Sequence, residues 1–199
     1  MGEQLSGLLD GQDQAATALN DEEKEGLLLS YVTLRSELNE AEHSNILEAQ
    51  EWSYARKRNV LDEKFLNNLH RRMFGNVWAW AGAYRRTGKN IGVDAYRIPT
   101  ELRQLLDDCR YWIEHNTYGA DEMATRFHHK LVWIDAYSNG NGRHARLATD
   151  LLLNLMSKQP FSWGRTSLTN SGETRKRYIE ALQSADRHDF SLLLEFVKS

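Results

Sequence analysis

His128-His129-Lys130-Leu131-Val132-Trp133-Ile134-Asp135-Ala136-Tyr137-Ser138-Asn139-Gly140-Asn141-Gly142-Arg143-His144-Ala145-Arg146 holds a change of local structure. Apolar residues up to Ile134 suit the end of one helix, glycine and asparagine then interrupt the pattern, and helical composition resumes at Asn141. Glycine at 140 and 142 lets backbone N–H groups turn toward one point. A helix starting there adds its unpaired leading amides and the positive end of its dipole. Arg143 and Arg146 fall on its first turns, where guanidiniums can grip phosphate oxygens. Loop, helix start and arginines together read as an anion site. A plain helix–helix turn accounts for an Asn-Gly pair, but not for the whole Gly-Asn-Gly-Arg-x-x-Arg combination.

The flanking sequence is helical almost throughout. The only prolines are Pro99 and Pro160, so long helices are allowed nearly everywhere. Residues 1–20 read as a flexible leader, and Asn20-Asp21-Glu22-Glu23 as a helix start. Helices are predicted over 36–58, 62–74, 99–115, 120–134, 141–157, 172–185 and 187–198, with residues 158–171 irregular. Residues 77–82, rich in tryptophan, read as a short helical turn. Residues 83–98, AYRRTGKNIGVDAYRI, break the pattern and suggest a β-hairpin flap with its turn near Thr87–Asn90. The expected architecture is one all-α domain over 21–199 carrying a small hairpin.

The chain has 199 residues and a net charge of −3, which argues against a general nucleic-acid or anionic-membrane binder. No apolar run reaches the ~18 residues a membrane span needs. The N-terminus lacks the basic and apolar regions of a secretory leader, so the expected location is the cytoplasm. The single cysteine, Cys109, allows no intrachain disulfide and reads as a core thiol.

Gly140-Asn141-Gly142-Arg143-x-x-Arg146 resembles the second half of the signature of the Fic/Doc (Fido domain) family, His-x-Phe-x-Asp/Glu-Gly-Asn-Gly-Arg-x-x-Arg. Lys89-Asn90-Ile91-Gly92-Val93, Trp78-x-Trp80-Ala81-Gly82 and Phe161-Ser162-Trp163-Gly164 resemble the Fic subgroup called mobile mystery protein B. The resemblance implies a Fic-like helical bundle that transfers AMP from ATP, with Mg²⁺, to a hydroxyl side chain of a protein target. It implies that Gly140, Asn141, Gly142 and Arg143 hold the α- and β-phosphates, that Arg146 holds the γ-phosphate, and that Asn139 belongs to the same phosphate site. It assigns Asn90, Ile91, Gly92 and Val93 to a flap that aligns the target backbone as an added strand would. The target and the oligomeric state stay open.

The first half of the signature departs. Asp135 stands at the catalytic histidine position, Tyr137 replaces phenylalanine, and Asn139 replaces the acid that helps hold Mg²⁺. An imidazole near pKa 6.5 suits proton removal from a hydroxyl at neutral pH, whereas an aspartate near about 3.9 is a weak base. Losing a positioned base costs about 10²–10⁴ in rate. Asn139 keeps an oxygen but no charge, so Mg²⁺ would lean on the phosphates. Three readings stay open: slow AMP transfer with Asp135 in the catalytic position, transfer from a different phosphate-containing donor, and a degenerate module that binds nucleotide or a partner protein without transfer.

Ser44-Asn45-Ile46-Leu47-Glu48-Ala49, in the predicted 36–58 helix, resembles the family's inhibitory Ser/Thr-x-x-x-Glu-Gly/Asn, which implies an inhibitory helix there. The resemblance implies that Ser44 and Glu48 belong to a brake in which Glu48 pairs with Arg146. His128, His129 and His144 fit no zinc spacing, and a surface role is expected for His144. Trp78, Trp80, Trp112, Trp133 and Trp163 read as core, and His70-Arg71-Arg72 as a solvated basic face. No Walker-type motif competes for the phosphate reading.

Overall fold

A computed structural model describes residues 25–88, 91–164 and 171–199. The Asn20–Glu23 helix start and Asn90 lie outside the described residues. Seven α-helices occur among those described: α1 Arg35–Tyr54, α2 Glu63–Phe74, α3 Ile98–His115, α4 Ala120–Ile134, α5 Asn141–Leu155, α6 Ser171–Asp186 and α7 Ser191–Lys198. The all-α expectation holds.

Local chemistry explains the helix ends. The Glu37 carboxylate accepts from the amides of Thr33 (2.8 Å) and Leu34 (3.1 Å) before α1. Asp62 caps α2 by accepting from Phe65 N–H at 2.8 Å. Pro99 sits in the first turn of α3, where no amide is needed, and Asn116 ends it in the left-handed region. The last helix begins at Ser191 rather than 187. His188 takes φ 68°, and Asp189 accepts from Ser191 N–H at 3.0 Å, which defers the start.

The α1–α2, α4–α5 and α6–α7 pairs form the body of the domain. The main core gathers Leu66, Leu69, Met73, Phe74, Ile98, Leu102, Leu105, Cys109, Phe127, Ile134 and Leu152. A smaller cluster joins Ala124, Leu153, Phe161, Trp163, Ala181, Leu193 and Phe196 under α6 and α7. Each fully buried leucine or phenylalanine contributes roughly 1.5–3 kcal/mol. Trp78 and Trp163 are core, as expected, but Trp133 is exposed and its ring carries the Lys130 ammonium at 3.5 Å.

Two local expectations are corrected. Residues 77–82 form turns rather than helix, because their backbone pairs with the incoming chain: Leu28 N–H donates to Val77 O and Ala79 N–H to Gly26 O, both at 2.8 Å. The hairpin over 83–98 shows no strand among its described residues. Its backbone groups bond to the α4–α5 loop instead: Arg85 N–H to Ala136 O (3.0 Å) and Val93 N–H to Ile134 O (3.4 Å). A 3₁₀ turn at Ala95–Arg97 then leads into α3.

Candidate functional site

The loop from Asp135 to Gly140 is held from within. Asp135 ends α4 in the left-handed region at φ 50°. Asn141 clasps the backbone of Tyr137 twice: its Oδ1 accepts from Tyr137 N–H at 2.9 Å, and its Nδ2 donates to Tyr137 O at 2.8 Å. Asn139 Oδ1 accepts from Gly140 N–H at 2.7 Å. Gly140 has φ 77°, and a Cβ there would lie 2.5 Å from the Phe74 ring, so both conformation and space require glycine. The side chains of Asn139 and Asn141 thus shape the turn.

What remains open is the start of α5. The first helical bond is His144 N–H to Gly140 O at 2.9 Å. The amides of Asn141, Gly142 and Arg143 precede it, and the N-cap Gly140 brings no side chain to them. A Cβ on Gly142 would meet nothing within 4 Å, so the approach is clear. Uncapped amides and the helix dipole favour negative charge at this helix start.

The two arginines serve different neighbours. Arg143 Nη1 donates to Glu42 Oε2 at 2.5 Å, and its guanidinium lies 4.9 Å from the Phe74 ring centre. Arg146 lies over Tyr178 (4.8 Å) and Trp163 (5.8 Å), with a buried Nε that has no hydrogen-bond partner. Glu42 is itself buried and accepts from Trp78 Nε1–H at 2.6 Å. The expected Glu48–Arg146 pair is absent, and both Ser44 and Glu48 are exposed. The reason is helical phase: Leu38, Glu42, Asn45 and Ala49 form the buried stripe of α1, which turns 44 and 48 outward.

Beneath the loop stand two histidines that were expected at the surface. His70 is fully buried in the register of Leu66, Leu69 and Met73. Gly82 N–H donates to its Nδ1 at 3.0 Å, which puts the proton on Nε2, where it donates to Asn139 O at 3.0 Å. Its ring stacks on Tyr137 with centres 3.7 Å apart. Burial, with His144 and Arg143 nearby, holds the His70 pKa well below its ordinary value. His144 Nε2 donates to Leu66 O at 3.0 Å, and burial lowers its pKa to about 4. The buried Tyr137 hydroxyl donates to Asn67 Oδ1 at 2.8 Å, the partner a tyrosine needs where phenylalanine would need none. His128 is also buried, shares a 2.8 Å bond with Tyr178 OH, and burial brings its pKa to about 3.

Asp135, at the expected catalytic position, is 5% exposed, and its Oδ2 lies 3.7 Å from Arg85 Nε. Sequence reasoning missed Arg85. Its signal is a cation between a tryptophan-rich turn and a glycine-bearing segment, which gives no hint of burial. Of the flap residues, Ile91 is exposed, Gly92 runs against Asp135, and Val93 is buried. Asn139 offers one neutral oxygen already accepting from Gly140, and no cluster of three His, Cys, Asp or Glu exists among the described residues. These described residues do not form a metal cage.

An uncapped helix start with an arginine beside it is an arrangement that phosphate-binding helical folds use. The sequence profile of the Fic/DOC family matches residues 60–153 of this chain. It is 26% identical to the protein adenylyltransferase Fic of Aedes aegypti over 71% of this chain and 28% of that protein. It is 32% identical to the protein adenylyltransferase fic-1 of Caenorhabditis elegans over 65% of this chain and 25% of that one. The chain therefore spans about a quarter of the length of these relatives. Solved structures share the fold. Fic-1 of C. elegans superposes with TM-score 0.66 at 23% identity, covering 88% of this chain and 51% of that one. The BepC protein of Bartonella tribocorum with bound AMPPNP gives TM-score 0.64 at 16% identity, covering 88% and 95%. No helix among the described residues is long and apolar enough to cross a membrane.

Proposed function

We propose that this chain binds ATP at the start of α5 and transfers AMP to a hydroxyl side chain of a protein target. The observation that carries this is the set of uncapped amides at Asn141, Gly142 and Arg143, opening on clear space beside the Arg143 guanidinium. The adenylyltransferase relatives and the AMPPNP-bound neighbour support the choice of nucleotide and acceptor. In this reading the amides and Arg143 hold the α- and β-phosphates, and the γ-phosphate falls to Arg146, whose guanidinium lies over Tyr178 and Trp163. The target hydroxyl oxygen bonds the α-phosphorus, pyrophosphate leaves, and the hydroxyl proton passes to a base. Asp135 occupies that base position. Ile91, Gly92 and Val93, with Asn90, would receive the target's backbone.

The brake, in this reading, is Glu42 rather than Glu48. Its carboxylate occupies the Arg143 guanidinium that a phosphate would claim, so ATP must displace it.

A second reading is favoured by one observation: Asp135 is buried and engaged by Arg85, so its carboxylate is poorly placed to take a proton. The domain would then bind nucleotide, or a partner, without transfer. Incubation with ATP labelled on the α-phosphate, Mg²⁺ and host-cell lysate separates the two. Labelled protein that disappears in Arg143→Ala supports transfer. ATP binding by calorimetry without labelling, even in Glu42→Ala, supports the binding module. A second donor labelling where ATP does not would assign a different phosphate-containing substrate. No binding of any nucleoside triphosphate would sink both readings.

A further inference from the structure

Arg85 is an internal cation, 4% exposed, whose donors are spent on the main chain of separate segments. Nε donates to Asp135 O at 2.6 Å, Nη1 to Thr87 O at 2.9 Å, and Nη2 to Val93 O. Its own amide donates to Ala136 O at 3.0 Å. One side chain therefore ties the stretch leading out of Arg85, the stretch returning at Val93, and the first turn of the signature loop. A guanidinium in such a place cannot shed its charge, and burial without a counter-charge is costly. The acid beside it is Asp135, with Oδ2 3.7 Å from Nε. Gly92 closes the arrangement at φ 85°: a Cβ there would lie 2.6 Å from Asp135 Cβ and 2.8 Å from Arg85 Nη2. The backbone at 92 thus rests directly on residue 135.

We infer that Arg85 is the positioning residue of this site, and that Asp135 serves it as counter-ion, so that residue 135 sets how closely Gly92–Val93 lies over the signature loop. The inference concerns the acceptor side of the site and rests on the transfer reading only for its kinetic consequence. A neutral imidazole at 135 would leave the Arg85 charge unmatched, so the departure from the family signature has a structural partner fifty residues away. Restoring histidine at 135 would then loosen the Gly92–Val93 segment even as it supplied a base. The phosphate side rests on other groups, the α5 amides and Arg143 with its Glu42 partner.

Amide hydrogen exchange on the full chain without nucleotide tests the geometry. Asp135→Asn, which keeps the shape and removes the charge, should speed exchange at Val93 and Arg85 by about tenfold. Asp135→His should do the same, and Gly92→Ala, which lifts the backbone, by more. Amides in α2 and α3 should keep their native rates in all three. Parallel acceleration everywhere would mean a merely global loss of stability, and native rates at Val93 in Asp135→Asn would mean that the ion pair positions nothing. Either result overturns the proposal. If Gly92→Ala does not fold, the two Asp135 variants decide. Calorimetry then separates this inference from the transfer reading: ATP affinity should stay within about twofold of wild type in Asp135→Asn. Where labelling is measurable, Gly92→Ala should raise the KM for the protein acceptor and leave that for ATP unchanged. A wild-type chain that binds no ATP would remove the transfer reading while leaving the exchange result intact.

Discussion

The two ends of the Asp135–Arg146 stretch are built in opposite ways. At the Asp135 end every group is turned inward: the carboxylate meets Arg85, the main-chain oxygen accepts from the same guanidinium, and Gly92 lies on top. At the α5 end the amides of Asn141, Gly142 and Arg143 have no cap, and only Arg143 is occupied, by a carboxylate that a phosphate can replace. The first end resembles a protein interior and the second a binding surface. On the proposed function, the difference teaches that polyphosphate recognition and hydroxyl activation depend on separate supports. Recognition needs backbone direction, which the turn supplies. Activation needs a base that is not spent elsewhere.

Several variants would break or sharpen this contrast. The largest effect is expected from His70→Ala, which empties a buried ring site and orphans Gly82 N–H and Asn139 O. It should cost about 3–5 kcal/mol in urea unfolding. A loss below about 1 kcal/mol would mean that the loop is not held from beneath.

Acid should act through the same histidines. His144 and His128, with folded pKa values brought to about 4 and about 3, and His70, also lowered, are neutral in the fold and protonate more readily when unfolded. Their contribution is fully present above about pH 6.5 and is lost as pH falls toward those folded values, a total on the order of 3 kcal/mol for His144 alone. Thermal melts should therefore fall already between about pH 6.5 and 5, above the main carboxylate range. A Tm that stays flat until about pH 4 would contradict this.

Glu42→Ala should free Arg143 and tighten ATP binding by about tenfold, or 1.4 kcal/mol, while lowering stability because Trp78 Nε1 loses its acceptor. Unchanged affinity in calorimetry would show that the helix-start amides act alone. The smallest change is expected from Tyr137→Phe, which removes the hydroxyl bond to Asn67 but keeps the ring. It should cost about 1 kcal/mol and leave ATP affinity unaltered. A change in affinity would show that the Asp135 end and the α5 end are coupled after all.

Helix order was legible because its signals lie within a few residues: the apolar stripe of α2, Asp62 as cap, Pro99 in a first turn, glycine and asparagine at the bend. The amide nest was legible for the same reason. The hairpin was misread because β-type residues at 83–98 bond to the α4–α5 loop and not to each other. His70 looked solvated beside two arginines, yet its register belongs to the buried stripe of α2.

The sequence by itself determined the turn at Gly140, the helix that follows it and the placing of Arg143 in its first turn, since each depends on φ, ψ and hydrogen bonds between near neighbours. Tertiary structure alone decided which acid meets which arginine. Glu42 reaches Arg143 across 101 residues and Asp135 meets Arg85 across 50, because helix packing, not spacing along the chain, brings those charges together.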